Sequence, residues 1–213
     1  GGARHVRFFL DCGLSWGFIE TRLERSQRAG IRMLWAERLE PYKGLPLALE
    51  AFAQVPEESV TLEIAGEGPM RHAWEGLARR LGLGARVKFL GHVPHERMPE
   101  LFRRADAFVF TSLRDSFGSV VLEAMGFGLP ILTLDHQGVG AFVPKEAGVK
   151  VPVTTPSETV RKLAQGIRLL QNPRIRIAMS LASHQFALTQ TWGRRVHAIL
   201  SLYEEVLRRR RTA

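Results

Sequence analysis

Apolar residues recur along this chain in two alternating rhythms. Short, nearly unbroken apolar runs occupy residues 31–36, 60–65, 87–90, 107–110, 131–134 and 149–151. Their length and their wealth of branched and aromatic side chains predict buried strands. Between them the apolar positions fall at helical spacing. Residues 45–55 place Leu45, Leu49, Phe52 and Ala53 on one face. A second helix is expected to open at Pro69, where a missing N–H is harmless, and to end at Gly82 and Gly84. Further helices are expected over 96–104 and 118–127, the latter stopped by Gly128-Leu129-Pro130. Strict alternation of this kind predicts an α/β fold, a doubly wound, Rossmann-like parallel sheet covered on both faces. Ligands of such sheets bind outside the carboxyl ends of the strands.

After Pro156 the pattern changes to helices alone, over 157–170, 173–189 and 192–210, punctuated by Asn172-Pro173 and Thr191-Trp192-Gly193. At the other end, 7–10 reads as an edge strand and 18–29 as a short helix. The chain therefore divides into a linker or edge segment at 1–30, a Rossmann-like domain at 31–190 and a closing C-terminal helix at 191–213.

Composition narrows the field. With 213 residues, 45% of them apolar, the chain is long enough for one substantial core. It holds no eighteen-residue apolar run and no signal-peptide pattern at its start. Cys12 is the only cysteine. There is thus no disulfide framework and no cysteine-based zinc site in this sequence. The patterns His-x-x-x-His, Cys-x-x-Cys and Asp-x-Asp are also missing, so no dedicated metal site is expected. A cytoplasmic protein is expected. The net charge of +9 points to anionic partners. The basic residues are spread out, and their densest run, Arg208 to Arg211, ends the last helix. Such an end is solvated or rests on acidic lipid head groups, as in a protein peripheral to the inner face of a membrane. Nucleic acid is not expected, because neither a helix-turn-helix nor an aromatic stacking platform is present.

The densest candidate chemistry lies in Asp115-Ser116-Phe117-Gly118-Ser119-Val120-Val121-Leu122-Glu123. Asp115 follows the run 107–110 and Glu123 lies within the next helix, about 12 Å further along its axis. Free amides at a helix start attract anions, and carboxylates suit the hydroxyls of a sugar. The segment reads as a cradle for a sugar joined to a phosphate. Arg38 and Lys43, in the loop after 31–36, offer a fork of donors and a mobile charge suited to a diphosphate. Gly66 and Gly68 permit a tight turn and close approach of a ligand. The backbone at Gly91-His92-Val93 can bond the edge of a base. Each piece alone has a plain alternative: surface cations, a turn, an idle histidine.

Taken in order, the set Arg38…Lys43-Gly44, Gly66-Glu67-Gly68-Pro69, Phe89-Leu90-Gly91-His92-Val93 and Asp115…Phe117-Gly118…Glu123-Ala124-Met125…Gly128-Leu129-Pro130 resembles the C-terminal, donor-binding half of a GT-B glycosyltransferase, of glycosyltransferase family 4 (group 1). The resemblance runs from residue 31 to 203 and includes Trp192, similar to the tryptophan that opens the family's closing helix. It implies a retaining, metal-independent hexosyltransferase that moves a sugar from a nucleoside diphosphate sugar (UDP-sugar or GDP-sugar) to an acceptor alcohol, with no cofactor besides the donor. By resemblance, Arg38 and Lys43 match the basic pair on the donor diphosphate. Glu123 matches the second acid of the Glu-x7-Glu motif, on the ribose, and Asp115 takes the place of the first, on the transferred sugar. Phe117, Gly118 and Ser119, with the adjoining Ser116, match the segment facing sugar and phosphate. Val93, beside His92, matches a position near the base.

Two departures stand out. Asp115 is one methylene shorter than the family's Glu, and Glu37 stands where the family has Gly, directly before Arg38. A carboxylate there repels phosphate unless it turns away or pairs with a cation. The family's acceptor-binding, N-terminal domain has no counterpart here. The chain is thus expected to be part of a longer protein, inactive alone, whose acceptor is a glycan, a lipid or a small alcohol. Part of the apolar face of the last helix is then expected to be exposed. An inactive nucleotide-binding or regulatory module of the same fold, or a sugar-nucleotide epimerase, remains the alternative.

Overall fold

The computed structural model describes residues 13–21, 23, 30–56, 58–115 and 118–211. Among these residues six strands form one sheet: β1 (Ile31–Ala36), β2 (Val60–Ala65), β3 (Val87–Gly91), β4 (Ala107–Phe110), β5 (Ile131–Leu134) and β6 (Gly148–Val151). Their order is β3-β2-β1-β4-β5-β6, with every neighbouring pair parallel. The order reverses between β1 and β4, which opens a crevice at the carboxyl ends of those two strands. This is the doubly wound α/β architecture that the alternating pattern predicts.

Among the described residues eight α-helices accompany the sheet: α1 (Leu45–Ala53), α2 (Arg71–Arg80), α3 (Met98–Arg104), α4 (Ser119–Gly126), α5 (Gln137–Phe142), α6 (Pro156–Gln171), α7 (Pro173–Thr189) and α8 (Trp192–Arg211). One face of the sheet is sealed by α1, α2 and α6, through Leu49, Phe52, Trp74 and Leu163 packed on Met33, Trp35 and Leu62. The other face is sealed mainly by α3 and α4, through Phe102, Val121 and Met125 on Leu34, Phe108 and Phe110. Successive residues of β1 thus enter different cores, which is why its apolar run is nearly continuous. Thr155 and Asn172 cap α6 and α7 by accepting from Glu158 N and Arg174 N.

Most limits agree within one or two residues, and the larger departures from expectation have local causes. The helix after β2 starts at Arg71 and not at Pro69, because Met70 N donates to Leu39 O and holds the chain in a turn first. The helix expected over 96–104 is a 3-10 turn, His95–Arg97, followed by α3. Pro99 is tolerated only in a first helical turn, which keeps the α-helix from starting earlier. α5 was not predicted, since Gly138 and Gly140 disguise its short period. The expected helix over 18–29 does not begin at Phe18. Trp16–Phe18 is a 3-10 turn, after which Glu20 N donates to Gly126 O and Glu20 O lies 2.9 Å from His184 Nε2. The remainder of that segment, residues 22 and 24–29, and the edge strand at 7–10 lie outside the described residues.

α8 carries Trp192, Val196, Ile199, Leu200, Tyr203, Val206 and Leu207 at 37–64% exposure. Their spacing forms a stripe along one side of the helix. Its apolar face is therefore open, as the sequence leads one to expect. No described helix is long and apolar enough to cross a membrane.

Candidate functional site

The loops that follow β1, β2 and β3 are laced together by their backbones. Glu37 N donates to Ala65 O, Leu39 N to Glu67 O, and Gly66 N to Gly91 O. Gly66 has φ +142°, and a Cβ there would lie 1.9 Å from Glu37 O. A Cβ on Gly68 would lie 2.5 Å from Leu39 O. These glycines are needed first because two stretches of backbone pass in contact, and only then because they floor a cavity.

That cavity is a cleft of about 660 Å³ over the crevice of the sheet. It is lined by Glu37, Arg38, Gly66, Gly68, His92 and Val93. The lining also includes Ser119, Val120 and Glu123 of α4, and His95. Gly118 caps α4 with φ +65°, and a Cβ there would strike Phe110 at 2.8 Å. Val121 N donates to Gly118 O at 2.8 Å, and the first turn of α4 faces the cleft with Ser119 and Val120, whose N–H groups precede the first carbonyl of the helix.

Arg38 stands at the rim, largely exposed, its Nη2 3.3 Å from Glu40 Oε1. Glu123 is nearly enclosed, and its Oε1 lies 3.1 Å from His95 Nε2. The His95 ring stacks on Phe18 with centroids 4.5 Å apart.

Lys43 and Asp115 are placed differently. Neither lines the cleft. Lys43 sits in the 3-10 turn Pro41–Lys43 ahead of α1, and its ammonium lies between two carboxylates. It pairs with Glu37, and its Nζ is 2.6 Å from Asp115 Oδ2. Asp115 is also held by Gly118 N, which donates to its Oδ1 at 3.0 Å. Its own N–H donates to Gln137 Oε1 at 2.6 Å. The turn carrying Lys43 is fixed to β4, since Thr111 Oγ1 donates to Lys43 O and in turn accepts from Trp35 Nε1.

The electrostatics of the triad follow from its burial. Loss of water works against the Lys43 charge, but the hydrogen bonds to Asp115 and Glu37 outweigh it and hold the ammonium above its ordinary value. Burial pushes the Glu37 carboxyl up, and the pull of Lys43 in the other direction is the smaller effect. The carboxylate at the family's glycine position thus does pair with a cation, the very one expected to bind phosphate.

The structure brings Arg38, Gly66, Gly68, His92, Val93, Ser119 and Glu123 around one hollow, with Gly118 at its edge capping α4. Ser116 and Phe117 lie outside the described residues. Among the described residues there is no cluster of His, Cys, Asp and Glu arranged for a metal ion. Sequence reading missed two members of the site, His95 and Gln137. His95 meets Glu123 across 28 residues of chain, and Gln137 meets Asp115 across 22. No periodicity encodes such contacts. The one local hint is Pro94, which favours a turn that re-aims the next side chain.

A doubly wound parallel sheet with a helix-mouth cleft at its switch point defines an α/β nucleotide-binding architecture, here in the GT-B form. The chain belongs to the glycosyl transferases group 1 family, whose model matches residues 25–180. It is 32% identical over 143 residues to an uncharacterised glycosyltransferase of Methanocaldococcus jannaschii, covering 64% of this chain and 36% of that protein. It is 29% identical over 204 residues to the D-inositol 3-phosphate glycosyltransferase of Salinispora tropica, covering 90% of this chain and 41% of that one. Among solved structures, Anabaena HepE in complex with UDP-glucose superposes with a TM-score of 0.69 at 27% identity, covering 83% of this chain and 48% of that chain. The pneumococcal O-GlcNAc transferase GtfA, solved with UDP and GlcNAc, shares the fold at a TM-score of 0.73 and 20% identity, over 87% of this chain and 38% of that one. The chain thus spans 36% and 41% of the length of these two sequence relatives.

Proposed function

We propose that this chain is the C-terminal, donor-binding part of a retaining family 4 glycosyltransferase. It holds a nucleoside diphosphate sugar, UDP- or GDP-linked, while a separate N-terminal part presents an acceptor alcohol. The observation that carries the reading is the shared cleft, which brings a mostly buried carboxylate, Glu123, and the first turn of α4 together with Arg38. Glu123 accepts from the ribose hydroxyls. The base lies toward His92 and Val93. The diphosphate lies over the start of α4, within reach of Arg38.

Sugar transfer places positive charge on the ring and negative charge on the departing diphosphate. Arg38, the α4 amides and Lys43 stabilise that negative charge. A donor of this kind contributes on the order of 3–4 kcal/mol where it is fixed in advance and shielded from water, and Arg38, exposed at the rim, contributes less. Lys43 acts once donor phosphate draws it from Glu37, and Asp115 orients the transferred sugar. The open stripe of α8 is where the N-terminal part rests, and without that part the chain does not turn over.

One observation favours a second reading, a nucleotide-binding module without chemistry: Lys43 is already neutralised by Glu37 and Asp115. Calorimetric titration of UDP and GDP into the chain tests the main proposal. Wild type is expected to bind one of them, and Lys43→Ala and Glu123→Ala are each expected to bind it more weakly while keeping the fold. Equal affinity in all three proteins, or none in any, rejects the donor site. Binding that Lys43→Ala leaves untouched and Glu123→Ala abolishes supports the module without chemistry.

A further inference from the structure

The polar partner that the structure gives Glu123 is His95 Nε2, at 3.1 Å. A carboxylate accepts, so Nε2–H is the donor. The bond ties Oε1 of Glu123 and leaves the second oxygen for a ligand. His95 is itself braced. Its ring stacks on Phe18 with an interplanar angle of 22°. The Phe18 backbone is seated on the end of α4, where a Cβ on Gly126 would lie 2.0 Å from Phe18 O. Glu20 N, two residues on, donates to Gly126 O at 3.1 Å. His95 and Glu123 both line the cleft, from different elements, and His95 is 62% exposed to it and to solvent. A ring that exposed has no need of a partner for burial's sake, so the two contacts serve its orientation.

We infer that His95 is a positioning residue of the donor site: held against Phe18, it fixes the Glu123 carboxylate in the orientation that accepts from the ribose diol. The inference rests on the donor-site reading and deepens it. The short segment ahead of β1 thereby takes part in nucleotide binding without touching the nucleotide. His95→Gln keeps an amide donor at the position of Nε2, His95→Phe keeps the stack and loses the donor, and His95→Ala loses both.

The test is calorimetric titration of the 213-residue chain with UDP, with GDP, and with the 2′,3′-dideoxy form of whichever binds. His95→Ala and His95→Phe are expected to weaken the ribonucleotide about five- to tenfold, the scale of one charge-assisted hydrogen bond. His95→Gln is expected to stay within about twofold of wild type, a rescue that a merely structural role would not give. All four proteins are expected to bind the dideoxy nucleotide alike, because it has no diol to orient. Wild-type affinity in His95→Ala, beside a loss in Glu123→Ala, overturns the inference and leaves the donor site standing. An equal loss of both nucleotides in His95→Ala also overturns it. If Glu123→Ala binds like wild type, or wild type binds neither nucleotide, the donor-site reading itself falls.

Discussion

Lys43 Nζ lies 2.6 Å from Asp115 Oδ2, although 72 residues separate them in the chain. The contact ties the turn before α1 to the loop before α4, across the carboxyl ends of β1 and β4. Both side chains are mostly out of water, at 13% and 17% exposure. Asp115 meets Lys43, Gly118 N and Gln137 at once, so it organises the helix mouth. Asp115→Ala is expected to lower stability by about 2 kcal/mol, because it removes an ion pair and the acceptor for Gly118 N. Asp115→Asn, which keeps an acceptor, is expected to cost less. Urea unfolding of the three proteins decides, and no difference between wild type and Ala would mean the contact contributes nothing.

Glu37 gives a pH dependence with a definite sign. Burial raises its carboxyl above the ordinary value of 4.5, with Lys43 and the nearby Asp115 as the charges facing it. A raised carboxyl binds its proton more tightly in the folded chain. Its stabilising contribution is complete below the ordinary value and is lost as pH rises through the folded one. Lys43 is raised above 10.5, so its own contribution holds throughout the neutral range and fades only at higher pH. Glu37→Gln is therefore expected to gain stability relative to wild type as pH climbs from about 4 toward 8. Urea midpoints of both proteins across that range check it. A constant difference would show that Glu37 titrates as it does in water.

Much of the architecture was legible because periodicity and burial coincide here. β1, β2, β4 and β5 have the expected limits, since the apolar residues of each run are buried and the run ends at a loop. α7 has them too, bounded by Asn172-Pro173 and Thr191. What was illegible depends on contacts between distant segments. The Arg71 start of α2 is dictated by Leu39, the extended path after Phe18 by Gly126, and the pairing of Glu37 by Lys43. At the site, Arg38 and Glu123 were readable as chemistry in a loop and on a helix. That Lys43 would turn inward, away from the cleft, follows from two acids brought beside it by the fold, and charge counting along the chain does not see that.

Gly66 and Gly82 separate crowding from backbone strain. Both have positive φ, +142° and +68°. A Cβ on Gly66 meets Glu37 O at 1.9 Å, whereas Gly82 has nothing within 4 Å. Gly82→Ala is expected to cost about 1 kcal/mol, the strain of a left-handed residue alone. Gly66→Ala must also part the loops after β1 and β2, and is expected to cost at least about 3 kcal/mol and to weaken nucleotide binding with it. Thermal unfolding and titration of the two variants give the comparison. Equal melting temperatures would show that the loops separate freely and do not form a rigid floor.

Gln137 is the one described residue other than glycine with positive φ, at 52°, and it opens α5. Its strained backbone sets Oε1 against Asp115 N at 2.6 Å. Two opposing effects are therefore built into one position, a left-handed cost of about 1 kcal/mol or more and a hydrogen bond of about 1 kcal/mol. Gln137→Gly loses the bond but relieves the strain, so its stability is expected to stay close to wild type. Gln137→Ala loses the bond and keeps the strain, and is expected to fall about 1 kcal/mol below Gln137→Gly. Both free the Asp115 loop, so amide exchange at Asp115 should quicken in both, whatever the difference in global stability. Chemical unfolding ranks the variants and hydrogen exchange reads the loop. An Ala variant as stable as the Gly variant would mean that α5 begins in a different conformation once the glutamine is gone.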